Sequence, residues 1–213
     1  MNFSSPAVAE VFAAYDRRDA EEQQRLAVEG YTDTNVNELL LPVGPEVGRF
    51  LHSLILAKRP ARILELGTSY GYSTLFLADA AKQVGGKVIT MELADYKQAE
   101  ARAQLTKAGL VDVVDFRLGD AVALIQEDPG PFDLVLLDIW KDLYLPCLDA
   151  FYPKLSDEAI VAADNMVFPE MARPDVRKYR AAVRALPDMQ TALLPIGSGI
   201  ELSVKWPAGS AKL

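Results

Sequence analysis

The stretch that decides the fold is RILELGTSYGYST, which runs from Arg62 to Thr74. Its first half is a short apolar run, which predicts a buried strand. Gly67 and Gly71 then predict a tight turn, and Ser73 opens the apolar periodicity of a helix. A strand that turns through glycine into a helix directs backbone N–H groups and the positive end of the helix dipole at a ligand. This stretch therefore predicts a ligand-binding turn.

A second apolar strand, Lys87 to Met91, follows this unit and ends in Glu92. An acidic side chain at the end of the second strand of such a sheet is suited to binding the hydroxyls of a ribose. The glycine turn and this acid together indicate a nucleoside cofactor.

The spacing of the glycines distinguishes between two cofactors. A dinucleotide site requires G-x-G-x-x-G, but Ser69 and Tyr72 stand where the second and third glycines belong. Glu65, just before the turn, would repel a phosphate and attract an ammonium group. S-adenosylmethionine has a ribose, a cationic amino-acid end and no phosphate, so it fits better than NAD. The alternative is that these glycines only shape a strand–helix turn, as any α/β domain requires.

The order of the elements predicts the fold class. The chain has 213 residues, half of them hydrophobic, which is typical of one α/β domain. We expect a helical or lid segment over residues 1–43 and a cofactor- and metal-binding core over residues 44–205. Strands alternate with helices, and a final pair of β-like runs is joined by three residues. This pattern predicts a doubly wound, Rossmann-like, mostly parallel sheet with one antiparallel strand at a C-terminal hairpin.

The boundaries of the other elements follow from the apolar periods and their stop signals. The predicted helices are Pro6–Glu29, a helix starting at Pro45, Tyr96–Ala108 with Asp95 as its N-cap, Leu143–Leu155 and Val176–Leu186. The predicted strands are Val113–Leu118, Phe132–Leu137, Ala159–Ala163, Gln190–Ile196 and Ile200–Lys205.

Composition excludes several function classes. The net charge is −8 and the basic residues are scattered, which argues against a nucleic-acid partner. The absence of a long apolar run and of a signal-peptide pattern argues against a membrane partner and for a cytoplasmic location. The single cysteine, Cys147, is read as a buried hydrophobe. The single histidine, His52, has no partner nearby in the sequence and is read as a core or surface residue. One histidine does not support a serine–histidine triad or ordinary zinc chemistry.

Polar side chains follow two neighbouring strands of the predicted sheet. Asp138 ends the fourth strand, and Asp164 and Asn165 end the fifth. Because the carboxyl ends of parallel strands meet at one edge, these oxygens can converge on a hard cation, Mg²⁺ first, with Ca²⁺ or Mn²⁺ as alternatives. An equally open alternative is that these residues bind no cation and have separate structural roles: Asp138 could cap a helix and Asn165 could shape a turn. Lys141 could project into the same cleft or be a solvated surface lysine.

Four strings carry a resemblance to a known family. DIWKDLYLP (Asp138–Pro146), AADN (Ala162–Asn165), LELGTSYGYS (Leu64–Ser73) and TMEL (Thr90–Leu93) resemble the cation-dependent O-methyltransferases, which include the catechol and caffeoyl-CoA enzymes. The similarity extends over most of the chain, and the first string is the most specific. The resemblance implies a class I methyltransferase fold and S-adenosylmethionine as the methyl donor.

The resemblance also implies roles for individual residues. The metal ligands would be Asp138, Asp164 and Asn165, with Lys141 as the general base. The cofactor contacts would be Val43, Glu65, Gly67, Tyr70, Ser73, Met91, Glu92, Asp120, Ala121 and Asp138. The substrate contacts would be Trp140, Lys141, Asn165, Pro169 and Glu201, of which Glu201 would orient the second catechol hydroxyl.

Four positions depart from the family pattern. Ile139 stands where the vertebrate enzyme has a histidine beside the adenine, and Leu39 stands where it has an aromatic wall residue. Asp120 and Ala121 replace an uncharged polar pair at the adenine edge, although an acid can accept a hydrogen bond from the adenine amino group. The departures leave the expected cofactor unchanged, and they leave the size and polarity of the substrate ring open.

These inferences lead to an expected reaction. Phenols ionise near pH 10, so only about one in a thousand is anionic at pH 7. A cation chelated by two catechol oxygens would favour ionisation, and Lys141 could take the proton. We therefore expect a Mg²⁺-dependent O-methyltransferase that acts on a small, catechol-like vicinal diphenol. The alternatives are a caffeoyl-CoA-type enzyme, for which this acidic chain offers few phosphate contacts, an NAD-dependent oxidoreductase and a non-catalytic S-adenosylmethionine-binding protein. The N-terminal helix and Val36–Val43 could cover the site or form a homodimer contact.

Overall fold

The computed structural model describes residues 3–32 and 35–206. Residues 1–2, 33–34 and 207–213 of the expected domain lie outside the described residues. The strands are β1 (Arg62–Leu66), β2 (Lys87–Glu92), β3 (Val114–Leu118), β4 (Phe132–Leu137), β5 (Leu155–Ala163), β6 (Met189–Leu194) and β7 (Ile200–Lys205). The helices are α1 (Pro6–Glu29), α2 (Pro45–Lys58), α3 (Tyr72–Val84), α4 (Asp95–Lys107), α5 (Ala121–Glu127), α6 (Tyr144–Phe151) and α7 (Arg173–Ala185).

The strands form one sheet in the order β3-β2-β1-β4-β5-β7-β6. β1 to β5 pair in parallel, whereas β7 is antiparallel to both β5 and β6. The predicted fold class, with its single antiparallel strand at the C-terminal hairpin, is confirmed. The strand order reverses between β1 and β4, and ligands of such sheets bind at the carboxyl ends of the strands beside this reversal.

Helices cover both faces of the sheet. One apolar cluster joins α1, α2 and α3 to side chains of β1, β4, β5 and β7. The other joins α5, α6 and α7 to the opposite face of β1, β4 and β5. Because the central strands are buried on both sides, their sequences are almost wholly apolar, and the polar residues at their ends are left to form a site. No helix among the described residues combines the length and the apolar character needed to cross a membrane.

Several predicted boundaries are wrong. β5 begins at Leu155 and not at Ala159, α7 begins at Arg173 and not at Val176, and β6 ends at Leu194 and not at Ile196. Asp95 is the first residue of α4 and not its cap; Ala94 holds the cap position, where its N–H donates to the Glu92 carboxylate. The helix predicted over Leu143–Leu155 ends at Phe151, and a 3₁₀ turn follows over Tyr152–Lys154. Pro153 in this turn has no N–H for continuing an α-helix, so the next strand begins already at Leu155.

His52 has a partner that the sequence does not reveal. Its Nε2 lies 3.0 Å from Oδ2 of Asp79 on α3, and both side chains are buried. Asp79 also accepts hydrogen bonds from the backbone and hydroxyl of Ser4. The three residues connect α2, α3 and the start of α1, which is a structural role far from the polar edge of the sheet.

Candidate active site

The glycine turn packs directly against the end of β4. Gly67 has φ +99°, and a Cβ at this position would lie 2.1 Å from the backbone oxygen of Asp138. Only glycine tolerates both the conformation and the contact. The N–H of Asp138 in turn donates to the Leu66 carbonyl at 3.0 Å. The turn expected to bind the cofactor and the first expected metal ligand are therefore in contact through their backbones.

Glu65 lies beneath this turn and is fully buried. Its carboxylate accepts hydrogen bonds from the hydroxyls of Ser73, Thr74 and Thr90, each at 2.6 Å. Burial raises the pKa of Glu65 to about 7, and the three hydroxyl bonds oppose that rise. A direct contact between Glu65 and the cofactor remains a prediction; in the structure both carboxylate oxygens are hydrogen-bonded and neither is exposed. Of the three hydroxyls, sequence reasoning named only Ser73 as a site residue.

Glu92, at the end of β2, is half-buried and organises the backbone around it. Its Oε2 accepts from the N–H of Ser69 at 2.8 Å, and its Oε1 accepts from Leu93 and Ala94, each at 2.9 Å. The carboxylate is thus fixed beside the glycine turn, at the place where a ribose diol would be bound.

Other residues expected around the cofactor lie near these two acids. Met91 and Ala121 belong to one apolar cluster, and the Met91 carbonyl accepts from the N–H groups of Gly67 and Thr68. Asp120 is exposed and caps α5 by accepting from the N–H of Ala123 at 2.9 Å. Val43 is buried just before α2. Their contacts with a cofactor remain predictions.

Tyr70 connects the turn to the N-terminal segment. Its ring is buried beneath the Arg18 guanidinium, 4.0 Å from the ring centroid, and its hydroxyl donates to the Asn37 carbonyl at 3.2 Å. Arg18 also donates to the Glu38 carbonyl at 2.9 Å. The N-terminal helix therefore holds the 35–40 segment against the glycine turn.

Lys141 contacts the first expected metal ligand. Its Nζ lies 3.2 Å from Oδ1 of Asp138 and 2.9 Å from the carbonyl oxygen of Ile139. The ammonium group also lies 4.8 Å from the centroid of the Tyr144 ring. Most of the Lys141 side chain is buried, so it is held at the polar edge and is not a solvated surface lysine.

Asp164 is the least satisfied acid at this edge. Its side chain is 2% exposed, and Oδ1 is buried without a hydrogen-bond partner in the structure. Burial, followed by the negative charge of Asp138, raises the pKa of Asp164 to about 7. A buried carboxylate oxygen that lacks a donor and lies near a second carboxylate fits a cation ligand.

The donor set suits a hard cation. Asn165 follows Asp164 with φ +59°, a conformation that asparagine tolerates better than most residues. Two carboxylates and one amide provide only oxygen atoms, which favours Mg²⁺ over metals that prefer nitrogen or sulfur. Among the described residues, no group of three or more His, Cys, Asp or Glu side chains gathers to form another metal site.

Tyr144 aligns the two acids, and sequence reasoning missed it. Its hydroxyl lies 3.0 Å from the carbonyl oxygen of Leu137 and 3.1 Å from that of Asp164. The buried ring therefore connects the ends of β4 and β5, from which the two carboxylates project. Its position inside the DIWKDLYLP string was the available signal.

The expected substrate wall is an exposed apolar rim. Trp140 is 58% exposed and Phe168 is 62% exposed, and Pro169 beside it is half-buried. These side chains lie on the segments that follow Asp138 and Asn165. An aromatic ring that packed here would remove this exposed apolar surface from water, which is favourable.

Glu201 does not belong to this rim. Its carboxylate is fully buried and accepts hydrogen bonds from Arg180 at 3.0 Å, Arg184 at 2.6 Å and Thr191 at 2.6 Å. Burial would raise its pKa, but the bonds from Arg184 and Thr191 and the two guanidinium charges lower it. The expected contact with a substrate hydroxyl is corrected: Glu201 pairs with α7 and has no exposed oxygen.

Comparison with known proteins decides the family of this site. A family model described as a methyltransferase domain matches residues 64–166, which include the glycine turn, Glu92, Lys141 and both carboxylates. Residues 64–166 therefore match a methyltransferase domain. A catechol O-methyltransferase from Niastella koreensis is 33% identical over 131 residues, which cover 60% of this chain and 59% of the relative. The chain thus spans less than two thirds of that relative.

Two further relatives resemble this methyltransferase domain over more of their length. Caffeoyl-CoA O-methyltransferase 1 from Eucalyptus globulus is 27% identical over 183 residues, covering 76% of this chain and 74% of the plant protein. The solved structure of an O-methyltransferase from Bacillus cereus in complex with SAH is 26% identical, with a TM-score of 0.72. It covers 90% of this chain and 99% of the bacterial chain. The methyltransferase domain is therefore similar to catechol and caffeoyl-CoA O-methyltransferases.

Proposed function

We propose that this chain is a Mg²⁺-dependent O-methyltransferase that transfers a methyl group from S-adenosylmethionine to one hydroxyl of a small, catechol-like vicinal diphenol. The observation that carries the proposal is the buried, unpartnered oxygen of Asp164 near the Asp138–Lys141 pair. This group lies at the sheet edge that also holds the glycine turn and Glu92. The relatives named above support the reaction class.

The residues that would hold S-adenosylmethionine are already fixed. The turn at Gly67 offers backbone groups, and the anchored Glu92 carboxylate offers acceptors for ribose hydroxyls. Asp120 has a second carboxylate oxygen, beyond its capping bond, for an amino group of the adenine. These groups would orient the donor for transfer, and positioning of this kind can contribute up to roughly 7–11 kcal/mol.

Asp138, Asp164 and Asn165 would hold the cation. A bound Mg²⁺ supplies positive charge that favours ionisation of a coordinated phenol hydroxyl. Tyr144 positions the two acids from below, and Asp138 also holds Lys141 beside the cleft. Trp140 and Pro169 would pack against the ring and exclude water from it.

Lys141 is proposed to accept the phenol proton at Nζ. In the structure Nζ donates to the carboxylate of Asp138 and to the carbonyl of Ile139, so the ammonium is held within reach of the metal ligands. The amine needs to be neutral to act as a base, and a positive charge nearby favours the neutral form.

A metal-removal assay tests the proposal. The purified chain is mixed with S-adenosylmethionine and catechol, with EDTA or with added Mg²⁺, and the product is measured by mass spectrometry. We expect methylated catechol with Mg²⁺ and almost none with EDTA. Equal turnover under both conditions would remove the cation from the proposal.

A competition titration separates the other classes of function. Displacement of S-adenosylhomocysteine by S-adenosylmethionine but not by NAD is expected. Binding of NAD alone would favour an oxidoreductase. Binding of S-adenosylmethionine without turnover of any phenol would favour a non-catalytic binding protein.

A further inference from the structure

An arginine-lined cavity lies beside the proposed substrate site. It has a volume of about 220 Å³ and is lined by Met166, Val167, Arg173, Val176, Arg177 and Arg180. The residues of α7 in this list are three or four positions apart, so they share one face of the helix. We name this cavity the arginine pocket.

Charge in the arginine pocket is only partly balanced. Arg180 and Arg184 share the single negative charge of Glu201. Arg173 pairs with Glu170 at 2.8 Å, but both side chains are largely exposed, so the pair is weak. Arg177 has no acidic partner among the described residues. The pocket therefore concentrates positive charge on a chain whose net charge is −8.

The arginine pocket begins next to the proposed metal ligands. Met166 and Val167 directly follow Asn165, and two residues span at most about 7 Å along the chain. Their backbone is held in place, because the N–H groups of Met166 and Val167 donate to Gly199 and Ser198 at 2.9 Å. A substituent on a ring bound at the metal ligands could thus extend over Val167 toward α7.

We infer that the arginine pocket binds an anionic substituent of the phenolic substrate, a carboxylate on the catechol ring or its side chain. The inference rests on the proposed function and narrows its substrate class. A guanidinium group matches a carboxylate with two parallel hydrogen bonds, and Val167 and Val176 provide apolar surface for the linking carbons. The phosphates of a CoA thioester share this anionic chemistry and are the second source to be distinguished.

Matched substrates and variants test the inference. The turnover number divided by the Michaelis constant is measured for 3,4-dihydroxybenzoate and for its methyl ester, with the wild type, Arg177→Gln and Lys178→Gln. The ratio of this quantity for the acid to that for the ester is compared between the three proteins, so that the intrinsic reactivities of the two substrates cancel. Arg177→Gln is expected to lower the acid-to-ester ratio about tenfold, as the loss of a charge-assisted hydrogen bond implies. Lys178 pairs with Asp175 outside the pocket, so Lys178→Gln is expected to leave the ratio unchanged.

The outcomes separate this inference from the proposed function. If both substrates are methylated and the ratio is equal in the wild type and in Arg177→Gln, the arginine pocket is not an anion site, although the methyltransferase proposal stands. An equal fall in both variants would also overturn the inference, because it would show a general charge effect. If neither substrate is methylated and no other catechol is, the proposed function fails.

A second substrate pair identifies the source of the anion. Caffeate and caffeoyl-CoA are compared in the same three proteins. We expect caffeate to lose about tenfold in Arg177→Gln while caffeoyl-CoA changes less than twofold. A loss confined to caffeoyl-CoA would overturn the carboxylate assignment and assign the pocket to phosphate.

Discussion

Two pairs of buried carboxylates differ in their partners and in the direction of their pKa shifts. Asp128 and Glu201 are each held by two arginines. Glu65 and Asp164 are equally buried but have no arginine partner among the described residues. The pKa falls in the first pair and rises to about 7 in the second.

Partners, and not burial, therefore distinguish structural acids from candidate functional ones. A buried carboxylate with two guanidinium groups has its charge compensated, and removing one partner of such a pair is destabilising. A buried carboxylate without a cation is costly, and such a cost is typical of sites that bind a ligand or a metal. Glu65 is intermediate, because the hydroxyls of Ser73, Thr74 and Thr90 donate hydrogen bonds to it.

The largest expected effect concerns Lys141, which contacts Asp138 at the polar edge of the sheet. Lys141→Met keeps the length of the side chain and removes its amine. If Lys141 is the general base, the turnover number should fall by about 10²–10⁴, whereas the affinity for S-adenosylhomocysteine should change less than about twofold. Turnover by steady-state kinetics and affinity by calorimetry give the two readouts.

A matched lysine controls for charge. Lys107 lies in the last turn of α4, exposed to solvent and away from the polar edge, so Lys107→Met should leave turnover unchanged. If Lys141→Met turns over as fast as this control, Lys141 has no role in proton transfer.

The second prediction compares one substitution at each kind of buried acid. Asp164→Asn should lower turnover more than about a hundredfold, since it removes a proposed metal ligand, and in EDTA it should leave the free energy of unfolding unchanged or raised. Glu201→Gln should lower the free energy of unfolding by about 1.5–3 kcal/mol, because the buried acceptor of two partly exposed guanidinium groups loses its negative charge. Turnover per folded molecule should then stay within about twofold.

Urea denaturation and kinetics on the same samples give both quantities. A loss of stability in Asp164→Asn as large as that in Glu201→Gln would mean that the two acids are alike. The distinction between structural and functional carboxylates would then be lost.

The sequence was sufficient for the scaffold because local patterns carry it. The apolar run of Phe132–Leu137 matches β4 to the residue, and Pro6–Glu29 matches α1, since caps and periodicity are encoded nearby. Asp138 and Asp164 were found by the rule that parallel strands end at one edge. Their placement follows from topology and not from their neighbours in the sequence.

Contacts between distant segments could not be found in this way. Glu201 was expected to face the substrate, but its arginines lie 17 and 21 residues earlier, on a helix whose orientation only the sheet order fixes. The partner of His52 could not be found from the sequence either, because Asp79 lies on another helix. One local signal was available and unused: Tyr144 stands within the most specific string of the chain, and its hydroxyl contacts the backbone at the ends of β4 and β5.

The smallest expected effect is a difference in the sign of pH dependence. Glu65 has its pKa raised to about 7 in the folded chain, so between about pH 4.5 and 7 the folded state binds a proton that the unfolded state has lost. The contribution of Glu65 to stability therefore falls as the pH rises through this range and is level above it. Glu65→Gln removes this dependence, so the free energy of unfolding of the variant, relative to wild type, should rise from pH 4.5 to 7.

Asp128→Asn should give the opposite slope. The Gly130 N–H, Arg117 and the charge of Arg62 outweigh burial and lower the pKa of Asp128, so its stabilisation is present above about pH 4 and is lost as the pH falls further. Relative to wild type, the variant should be least stable above about pH 4 and should recover toward pH 3. Urea titrations at half-unit pH steps measure both curves. Parallel curves for the two variants would show that hydroxyls solvate Glu65 as well as arginines compensate Asp128, and the proposed difference between the two kinds of buried acid would then rest on Asp164 alone.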